Sequence, residues 1–223
     1  MKDISALIAV RKGSKRVLNK NMRKFADSSL LEIKIRQLQR ITGLDRIFVS
    51  TDCEKMKMLS ENLGATVIMR DPKFASDEVP MNLVYEYLAK SIEGEHVLYV
   101  HVTSPLLKDA SLQKCIDLYK KLPDAYDSLA TVRTLHEYIW HDGLAVNYDP
   151  NNHPRSQDLP DYHALNFAVN LLPRSVMINR RNIVGNSFYP HPISKIESID
   201  IDEEEDFMIA ELLYERNRLL LNN

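Results

Sequence analysis

The sequence predicts an α/β fold with three layers and a mostly parallel central sheet. Short runs rich in β-branched and aromatic residues recur along the first half of the chain, and a longer stretch with helical periodicity follows each of them. Strands that alternate with helices in this way pair in parallel through right-handed crossovers, so that helices cover both faces of the sheet. The 223 residues, of which 44% are hydrophobic and 27% charged, fit a single compact domain.

Three strands and four helices are predicted in the first half of the chain. The strands are residues 4–10, 46–51 and 96–103. Ser28 is a suitable N-cap for the first helix, in which apolar residues recur from Leu31 to Leu38 at the spacing of one helix face. The later helices are predicted at residues 55–63, 81–91 and 110–122.

The alternation stops after a strand predicted at residues 128–133. Residues 134–160 are rich in Asn, Asp, Pro, His and Tyr without a sustained period, and a stretch this long without secondary structure is usually functional. We interpret it as part of an inserted arm that extends to about residue 172. Beyond residue 160, strands are predicted at 166–170, 176–178 and 196–201, and a C-terminal helix at 203–221.

Charge and composition argue against two classes of partner. Lys and Arg total 29 against 31 Asp and Glu, and no basic block marks a nucleic-acid surface. The longest apolar runs are far shorter than the roughly 20 residues that a bilayer span requires. Residues 1–10 lack the features of a secretory signal, and Cys53 and Cys115 form no redox or metal motif, so we expect a cytoplasmic protein without nucleic-acid or membrane partners.

A cationic loop follows the first predicted strand. Ligands of open α/β sheets bind at the carboxyl ends of the strands, where loop amides face anions. The positive charge of the loop comes from Arg11, Lys15 and Lys20, with no acidic residue between positions 4 and 26. Gly13 allows close backbone approach and Ser14 offers a hydroxyl. The pattern favours a polyphosphate site, with a solvated basic loop as the alternative, and it lacks the spacing of a Walker P-loop.

Two acidic residues, Asp200 and Asp202, end the last predicted strand. Residues two apart on a strand point the same way, so both carboxylates are expected to share one small volume. A divalent cation would relieve their repulsion, and hard oxygen ligands favour Mg²⁺, which would also bridge phosphate oxygens. An isolated Asp-x-Asp is also common at caps and turns, so the metal site depends on the cationic loop lying nearby.

These motifs occur together in the order of a known family. The matching segments are residues 8–15 with Lys20 and Asn21, 49–52, Arg70 with 75–77, 103–105, Arg155 with 159–160, and 199–202. They span nearly the whole chain, which thereby resembles the acylneuraminate cytidylyltransferases, or CMP-sialic acid synthetases. The resemblance implies a Rossmann-like nucleotidyltransferase fold and a homodimer, in which a dimerisation and substrate arm at residues 134–172 reaches into the neighbouring subunit.

The resemblance also implies a reaction and its residues. CTP and a 2-keto-3-deoxy sugar acid would react with Mg²⁺ present to give a CMP-sugar for a surface glycan, and pyrophosphate. The implied catalytic residues are Arg11, Lys15, Lys20 and Asp202, and the implied metal ligands are Asp200 and Asp202. The implied nucleotide contacts are Arg11, Gly13, Ser14, Lys15, Asn21, Arg70, Ser76 and Asp77. The implied sugar contacts are His101, Thr103, Ser104, Arg155, Gln157 and Asn166.

Several of these residues also have ordinary structural interpretations. Arg70 could be a surface turn residue, and Asp77 could cap the helix that follows it. Asp52 is interpreted as the cap of the helix at residues 55–63. His101 replaces a Gln of the family and is either a hydrogen-bonding group or a buried histidine at a strand end. Asn166 would bind sugar hydroxyls or satisfy the backbone at a strand end.

The departures from the family pattern lie mainly in the part that would bind the sugar. Besides His101, Leu107 replaces an Arg, and no Lys aligns near Trp140 in the arm. The nucleotide chemistry is therefore better defined than the acceptor, which could be an acidic sugar other than N-acetylneuraminate. Two other functions remain open: a metal-dependent glycosyltransferase, because of the Asp-x-Asp motif, and a nucleotide-binding dimeric protein that has lost turnover.

Overall fold

The protein, described by a computed structural model over residues 3–221, is built around one seven-stranded sheet. The strands are β1 Ile4–Ala9, β2 Lys24–Phe25, β3 Ser28–Ser29, β4 Arg46–Thr51, β5 Thr66–Met69, β6 His96–Val100, β7 Ser128–Leu135, β8 Trp140–His141, β9 Leu144–Ala145, β10 Tyr162–Pro173 and β11 Phe188–Pro192. The helices are α1 Leu30–Arg40, α2 Glu54–Asn62, α3 Pro72–Ala75, α4 Met81–Lys90, α5 Asp109–Lys120, α6 Arg174–Arg180 and α7 Glu204–Leu221, with a 3₁₀ turn at Ser156–Asp158.

The central sheet has the strand order β11-β7-β10-β6-β1-β4-β5. β1 pairs in parallel with β4 and β6, β4 with β5, and β7 with β11, whereas β10 runs antiparallel to both of its neighbours. The predicted mostly parallel sheet is therefore confirmed. Parallel pairing sends the carboxyl ends of β1, β4 and β6 to the same edge, so the loops that follow these strands meet there.

Helices pack on both faces of the sheet, as the sequence predicts. Along β1, Ile4, Ala6 and Ile8 belong to one buried cluster together with apolar residues of α1, α5 and α7, while Leu7 belongs to a second cluster with residues of α4 and α6. Each fully buried leucine or isoleucine of this kind contributes about 1.5 to 3 kcal/mol to the free energy of unfolding. The sheet is thus the middle of three layers, and its edge is left for loops.

Two of the predicted strands are wrong. Residues 176–178 belong to α6, which begins directly after Pro173. The β-branched side chains that suggested a strand therefore lie in a short helix. Residues 196–201 form turns, because Ser194 Oγ donates to Glu197 Oε2 at 2.8 Å and accepts the Glu197 N–H at 3.3 Å, as in a helix capping box. The strand argument for two carboxylates on one face therefore does not hold.

Other boundaries shift by a few residues. β6 ends at Val100 rather than at residue 103, and the residues that follow it form a largely buried loop. Ser29, not Ser28, is the N-cap of α1 and accepts the Glu32 N–H. Of the arm predicted at 134–172, only the stretch between β7 and β10 lies outside the central sheet, since Val169 to Pro173 pair with β6.

An irregularity interrupts β10 near the edge of the sheet. Its register with β7 shifts between Leu165 and Asn170, and Phe167 within this bulge has φ +54°. A bulge of this kind turns side chains away from the direction that regular alternation would give them. It places Asn166 and Phe167 beside the end of β6.

None of the helices within residues 3–221 combines the length and the apolar composition that crossing a bilayer requires.

Candidate active site

The cationic loop is fixed by polar contacts at both of its ends. The N–H of Lys12 donates to Asp52 Oδ1 at 2.7 Å, and the buried Asn21 donates from Nδ2 to the Arg11 carbonyl at 3.2 Å. Gly13 has φ +81° and open space around the position of a Cβ, so the backbone there can approach a ligand closely. Asp52 thus holds this loop and is not the cap of α2, whose N-cap is Cys53.

Asp77 links the cationic loop to the segment before α4. Lys15 pairs with its Oδ2 at 2.6 Å, Arg11 forms a short hydrogen bond with its Oδ1, and Arg11 also donates to the Ala75 carbonyl at 2.9 Å. Hydrogen bonds from Lys15 and Arg11 lower the pKa of Asp77. Because these groups are exposed, the ion pairs are weak and a phosphate could exchange with the carboxylate. Asp77 does not cap α4, whose N-cap is Pro80.

Arg70 is a buried side chain rather than a surface turn residue. Only 6% of its surface is exposed. Its guanidinium donates to the Ser50 hydroxyl at 3.2 Å and to the Ser50 carbonyl at 2.8 Å, which fixes its plane beside the end of β4. Ser76, which the resemblance also assigned to the nucleotide, donates from Oγ to the Lys73 carbonyl at 2.8 Å. Arg70 is therefore a cation held in a fixed position near Arg11 of the cationic loop.

The cationic loop and the acid pair lie against each other, although about 180 residues separate them in the sequence. Lys20 Nζ donates to the Ile201 carbonyl at 2.5 Å, and Arg16 pairs with Asp202 Oδ1 at 2.6 Å. Asp206 accepts the N–H groups of Asp202 at 3.0 Å and Glu203 at 2.9 Å, which fixes the segment at the start of α7. The structure thus provides the proximity on which the predicted metal site depends.

Asp200 has one carboxylate oxygen that is buried and unsatisfied. Its Oδ1 has no partner among residues 3–221, and the nearby Thr103 side chain acts to lower the pKa of the carboxyl. Burial raises the pKa of Asp200, and the charge of Asp202 acts in the same direction. An unsatisfied buried oxygen is costly, and a cation placed between the two carboxylates would satisfy it.

The acid pair fits a magnesium–nucleotide complex better than a metal cage made of protein alone. Within the described part of the chain, no group of three or more His, Cys, Asp or Glu side chains could enclose a metal. Mg²⁺ typically takes one or two carboxylates, several waters and substrate phosphates. Asp200 and Asp202 would supply the carboxylates, and the adjacent cationic loop would hold the phosphates.

His101, just after β6, and Asn166, at the bulge within β10, offer further unsatisfied polar atoms. Burial lowers the pKa of His101 to about 4, helped by the charges of Lys34 and Lys20, so its ring is neutral at pH 7. The ring stacks on Phe167 with centroids 6.1 Å apart. Asn166 Oδ1 accepts from the Thr131 hydroxyl at 2.7 Å. His101 Nε2 and Asn166 Nδ2 are buried without partners in the described chain, so each has unsatisfied hydrogen-bonding capacity.

Two residues assigned to the sugar lie elsewhere in the single chain, and a third, Ser104, has no exposed side chain. Ser104 is buried, and its carbonyl faces α1. Arg155 pairs with Asp158 at 2.7 Å within its own 3₁₀ turn, and Gln157 is exposed in the same turn. The structure therefore groups Arg155 and Gln157 with the segment between β7 and β10 and not with the acid pair.

Sequence reasoning missed one buried polar group beneath the site. Lys34 lies on the apolar face of α1, between Leu31 and Leu38, and is fully buried. A lysine inside an apolar helical stripe was the available signal, since lysine is almost never fully buried without a partner. It is not among the residues that the resemblance pointed to.

Comparison with known proteins identifies the family. A profile of the family described as Cytidylyltransferase matches residues 5–216. The chain belongs to the cytidylyltransferase family. Among its relatives, the N-acylneuraminate cytidylyltransferase of Oncorhynchus mykiss is 26% identical over 93% of this chain and 49% of its own length. The CMP-N,N'-diacetyllegionaminic acid synthase of Legionella pneumophila is 25% identical over 96% of this chain and 97% of its own length.

The chain spans about half the length of the N-acylneuraminate relatives it matches. It shares its fold with solved structures. A CMP:2-keto-3-deoxy-manno-octonic acid synthetase complexed with CTP gives a TM-score of 0.72 at 12% identity, covering 97% of this chain and 100% of that one. A 4-diphosphocytidyl-2C-methyl-D-erythritol synthase from Anaerococcus prevotii gives 0.71 at 15% identity, covering 96% and 97%. The predicted fold class and family resemblance are confirmed.

Asp200→Asn is expected to stabilise the metal-free protein and to weaken metal binding. The substitution removes a negative charge that is partly buried and repelled by Asp202. In EDTA the midpoint of thermal unfolding should rise by about 2 to 4 °C, the shift that ~1 kcal/mol produces in a chain of this size. The gain should shrink as the pH falls through the raised pKa of Asp200, because the native carboxyl is then protonated and uncharged.

Calorimetry and Mn²⁺ titration measure the two effects of Asp200→Asn. The Mn²⁺ dissociation constant should rise roughly tenfold or more. Glu203→Gln is the matched control, since Glu203 is an exposed acidic residue in the same segment, and it should alter neither quantity. A lower midpoint together with unchanged Mn²⁺ affinity would remove Asp200 from the metal site.

Proposed function

We propose that this member of the cytidylyltransferase family transfers CMP from CTP to the anomeric hydroxyl of a 2-keto-3-deoxy sugar acid and releases pyrophosphate. The observation that carries the proposal is the contact of Lys20 and Arg16 with the segment of Asp200 and Asp202. This contact supports a site in which the cations bind a triphosphate and the nearby carboxylates bind Mg²⁺. The names of the relatives, which include N-acylneuraminate cytidylyltransferases and a CMP-N,N'-diacetyllegionaminic acid synthase, support a sugar acid as acceptor.

The main requirement of this reaction is stabilisation of the negative charge on the phosphate oxygens and the leaving group. The sugar hydroxyl oxygen bonds to the α-phosphorus, the bond from that phosphorus to the bridging oxygen breaks, and pyrophosphate leaves with the electron pair while the hydroxyl proton is released. Positioning and electrostatic stabilisation do most of the catalytic work in such transfers. Mg²⁺, when bound, would neutralise charge on the phosphate oxygens. Arg11, Lys15 and Lys20 would hold the triphosphate and stabilise the leaving group.

The nucleotide would bind between the cationic loop and the Arg70 side chain. In this arrangement the phosphates replace Asp77 as the partner of Arg11 and Lys15, because an exposed ion pair costs little to open. Gly13 and Ser14 would supply backbone and hydroxyl contacts, and Asn21 would keep the loop in place. The segment of Ser76 and Asp77 would then lie beside the ribose and the base, with Arg70 fixed behind it.

The sugar acid would lie at the end of β6, beside the bulge within β10. The unsatisfied Nε2 of His101 and Nδ2 of Asn166 are suited to sugar hydroxyls, because a neutral imidazole and an amide both form directional hydrogen bonds with them. Thr103 lies at the same edge and already contacts Asp200. A carboxylate on the acceptor needs a cation, and the planar guanidinium of Arg155 is suited to it.

Arg155 would reach the acceptor from a second copy of the chain. Its side chain is 74% exposed in the single chain. The segment that carries it, with the adjoining part of β10, also exposes a set of large apolar side chains, and a surface of this kind marks an interaction site. The exposed side chains are Tyr138, Trp140, Leu144, Val146, Tyr162 and Leu165. A homodimer would cover them and bring Arg155 and Gln157 to the neighbouring site.

The two cysteines support a cytoplasmic location. Cys53 and Cys115 are both free. Free cysteines are typical of proteins that work in a reducing compartment. The proposed substrates in that compartment are CTP and an acidic sugar.

Release of pyrophosphate tests the proposed reaction directly. The full chain is incubated with CTP, Mg²⁺ and a panel of 2-keto-3-deoxy sugar acids, and pyrophosphate and the CMP-sugar are measured. At least one acid should give equal amounts of both products, and omission of the acid should give neither. Binding of CTP without product from any acid would instead indicate a nucleotide-binding protein that does not turn over.

Arg11→Ala is expected to lower kcat/KM by roughly 100- to 1,000-fold, the loss seen when one group that stabilises developing charge is removed. Arg46→Ala is the matched control. Arg46 is an exposed arginine in an ion pair with Glu93 at the amino end of β4, on the opposite edge of the sheet. Steady-state kinetics with CTP in the pyrophosphate assay would give both values. Equal kcat/KM for Arg11→Ala and Arg46→Ala would place Arg11 outside the reaction.

The proposed dimer predicts both a mass and a shared site. Light scattering should give about twice the 25.7 kDa of the chain. Trp140→Asp places a charge in the exposed apolar surface and should shift the protein towards the single-chain mass, with loss of turnover but retention of CTP binding. Leu212→Asp is the control, because Leu212 is an exposed apolar residue on α7, outside this surface. A wild-type protein of 25.7 kDa with full activity would contradict the shared site.

A further inference from the structure

A lysine is buried beneath the loop that follows β6. Lys34 lies on α1 and has no exposed surface, whereas its neighbours on the same helix face, Leu31 and Leu38, are ordinary core residues. Its Nζ donates to Gln37 Oε1 at 2.7 Å and to the Ser104 carbonyl at 3.1 Å. Removing an amine from water is costly, so a lysine at a core position calls for an explanation other than packing.

The amine matches the acceptors around it. Burial lowers the pKa of Lys34 to about 7, with the Asp109 carboxylate acting in the opposite direction. Even a neutral amine has two N–H groups, and the oxygens of Gln37 and Ser104 use both. Gln37 in turn donates from Nε2 to the Leu107 carbonyl at 2.7 Å and to Asp109 Oδ1 at 3.0 Å. Helix α1 therefore holds the loop after β6 at two of its carbonyls.

The same loop holds the acid pair from its other side. Ser104 directly follows Thr103, whose side chain lies by Asp200 and acts to lower the pKa of its carboxyl. The Thr103 carbonyl also accepts the N–H of Ile201 at 2.9 Å. Two hydrogen bonds, from Lys34 to the Ser104 carbonyl and from Ile201 to the Thr103 carbonyl, thus connect α1 with the segment that carries Asp200.

Stability alone does not explain this arrangement. Replacement of a buried charged group by an apolar one of similar volume is often neutral or stabilising. Directional hydrogen bonds, by contrast, fix the geometry of a loop, and the groups behind metal ligands set how well those ligands are aimed. Lys34 is costly to bury, and the restraint that it places on the loop behind Asp200 explains its presence better than packing does.

We propose that Lys34 is a positioning residue, which fixes the Ser104 carbonyl and, through it, the Thr103 groups that aim Asp200 at the bound cation. The inference rests on the proposed function, in which Asp200 is a metal ligand. It gives α1 a role in positioning the metal ligand, in addition to the packing of its buried apolar residues in the core.

The test compares the wild-type chain with Lys34→Met, whose side chain has similar length and volume but no donor. Mn²⁺ binding is measured by electron paramagnetic resonance, and CTP binding is measured separately in EDTA by calorimetry. The Mn²⁺ dissociation constant of Lys34→Met should be roughly tenfold higher than that of the wild type. The CTP dissociation constant should stay within about twofold, because Lys34 contacts α1 and the loop after β6 and not the cationic loop.

Ile35→Val is the matched control for packing. Ile35 is the next residue of α1 and lies fully buried in the apolar core. This variant should lower the midpoint of thermal unfolding while it leaves the Mn²⁺ dissociation constant unchanged. Should Lys34→Met fail to fold, Lys34→Gln carries the same expectation, since its amide retains a polar group but is one bond too short to reach Ser104.

The outcomes separate this inference from the proposed function. A folded Lys34→Met that binds Mn²⁺ as tightly as the wild type would show that Lys34 is a packing residue only, with the proposed function intact. A CTP dissociation constant that rises as much as that for Mn²⁺ would mean a general disturbance of the site and would also overturn the inference. A wild-type chain that binds neither Mn²⁺ nor CTP would overturn both proposals together.

Discussion

The parallel pairing of β1 with β4 and β6 is the constraint on which the site depends. Because these three strands end at the same edge, the cationic loop, the turn at Asp52 and the loop at Thr103 meet there without any long connection. The antiparallel β10 then brings Asn166 to the end of β6 from the opposite direction. The segment before α7 completes the arrangement when Ile201 bonds to the Thr103 carbonyl.

The charges at this edge fall into two groups with different physical behaviour. The ion pairs of Arg11 and Lys15 with Asp77, and of Arg16 with Asp202, are exposed and screened, so they can be exchanged for a phosphate at little cost. The polar atoms of Asp200, His101 and Asn166 that lack partners in the described chain are buried, and burial makes an unsatisfied group costly. In the proposed function, the first group would exchange its partners for a highly charged ligand, and the second would gain partners when the ligand binds.

Periodicity in the sequence was sufficient to predict the core of the fold. The strand at 46–51 was predicted from its run of β-branched and aromatic residues, and the apolar face of α1 from its helical spacing, because burial leaves such patterns in the sequence. The strands predicted at 176–178 and 196–201 were wrong, since a few β-branched residues fit equally well into a short helix after proline or a capped turn. A segment of a few residues has too little sequence pattern to predict its structure, because its tertiary contacts decide whether it becomes a strand, a helix or a turn.

The site was predictable only in part for a related reason. A cationic loop and an acid pair can be recognised from residue types, whereas their contact is a property of the assembled sheet edge. Arg70 was open to interpretation as a surface residue and proved to be buried, and Asp52 caps no helix but holds the Lys12 amide. Lys34 acts through a backbone carbonyl, and such a partner leaves no trace in residue identity.

A structure determined with CTP and Mn²⁺ would test the central claim of one shared triphosphate site. Anomalous scattering should place Mn²⁺ at about 2.0 to 2.5 Å from carboxylate oxygens of Asp200 and Asp202 and from phosphate oxygens of the same CTP. Arg11 and Lys15 should then contact the triphosphate in place of Asp77. Density for the metal or the triphosphate at any place away from these residues would contradict the account.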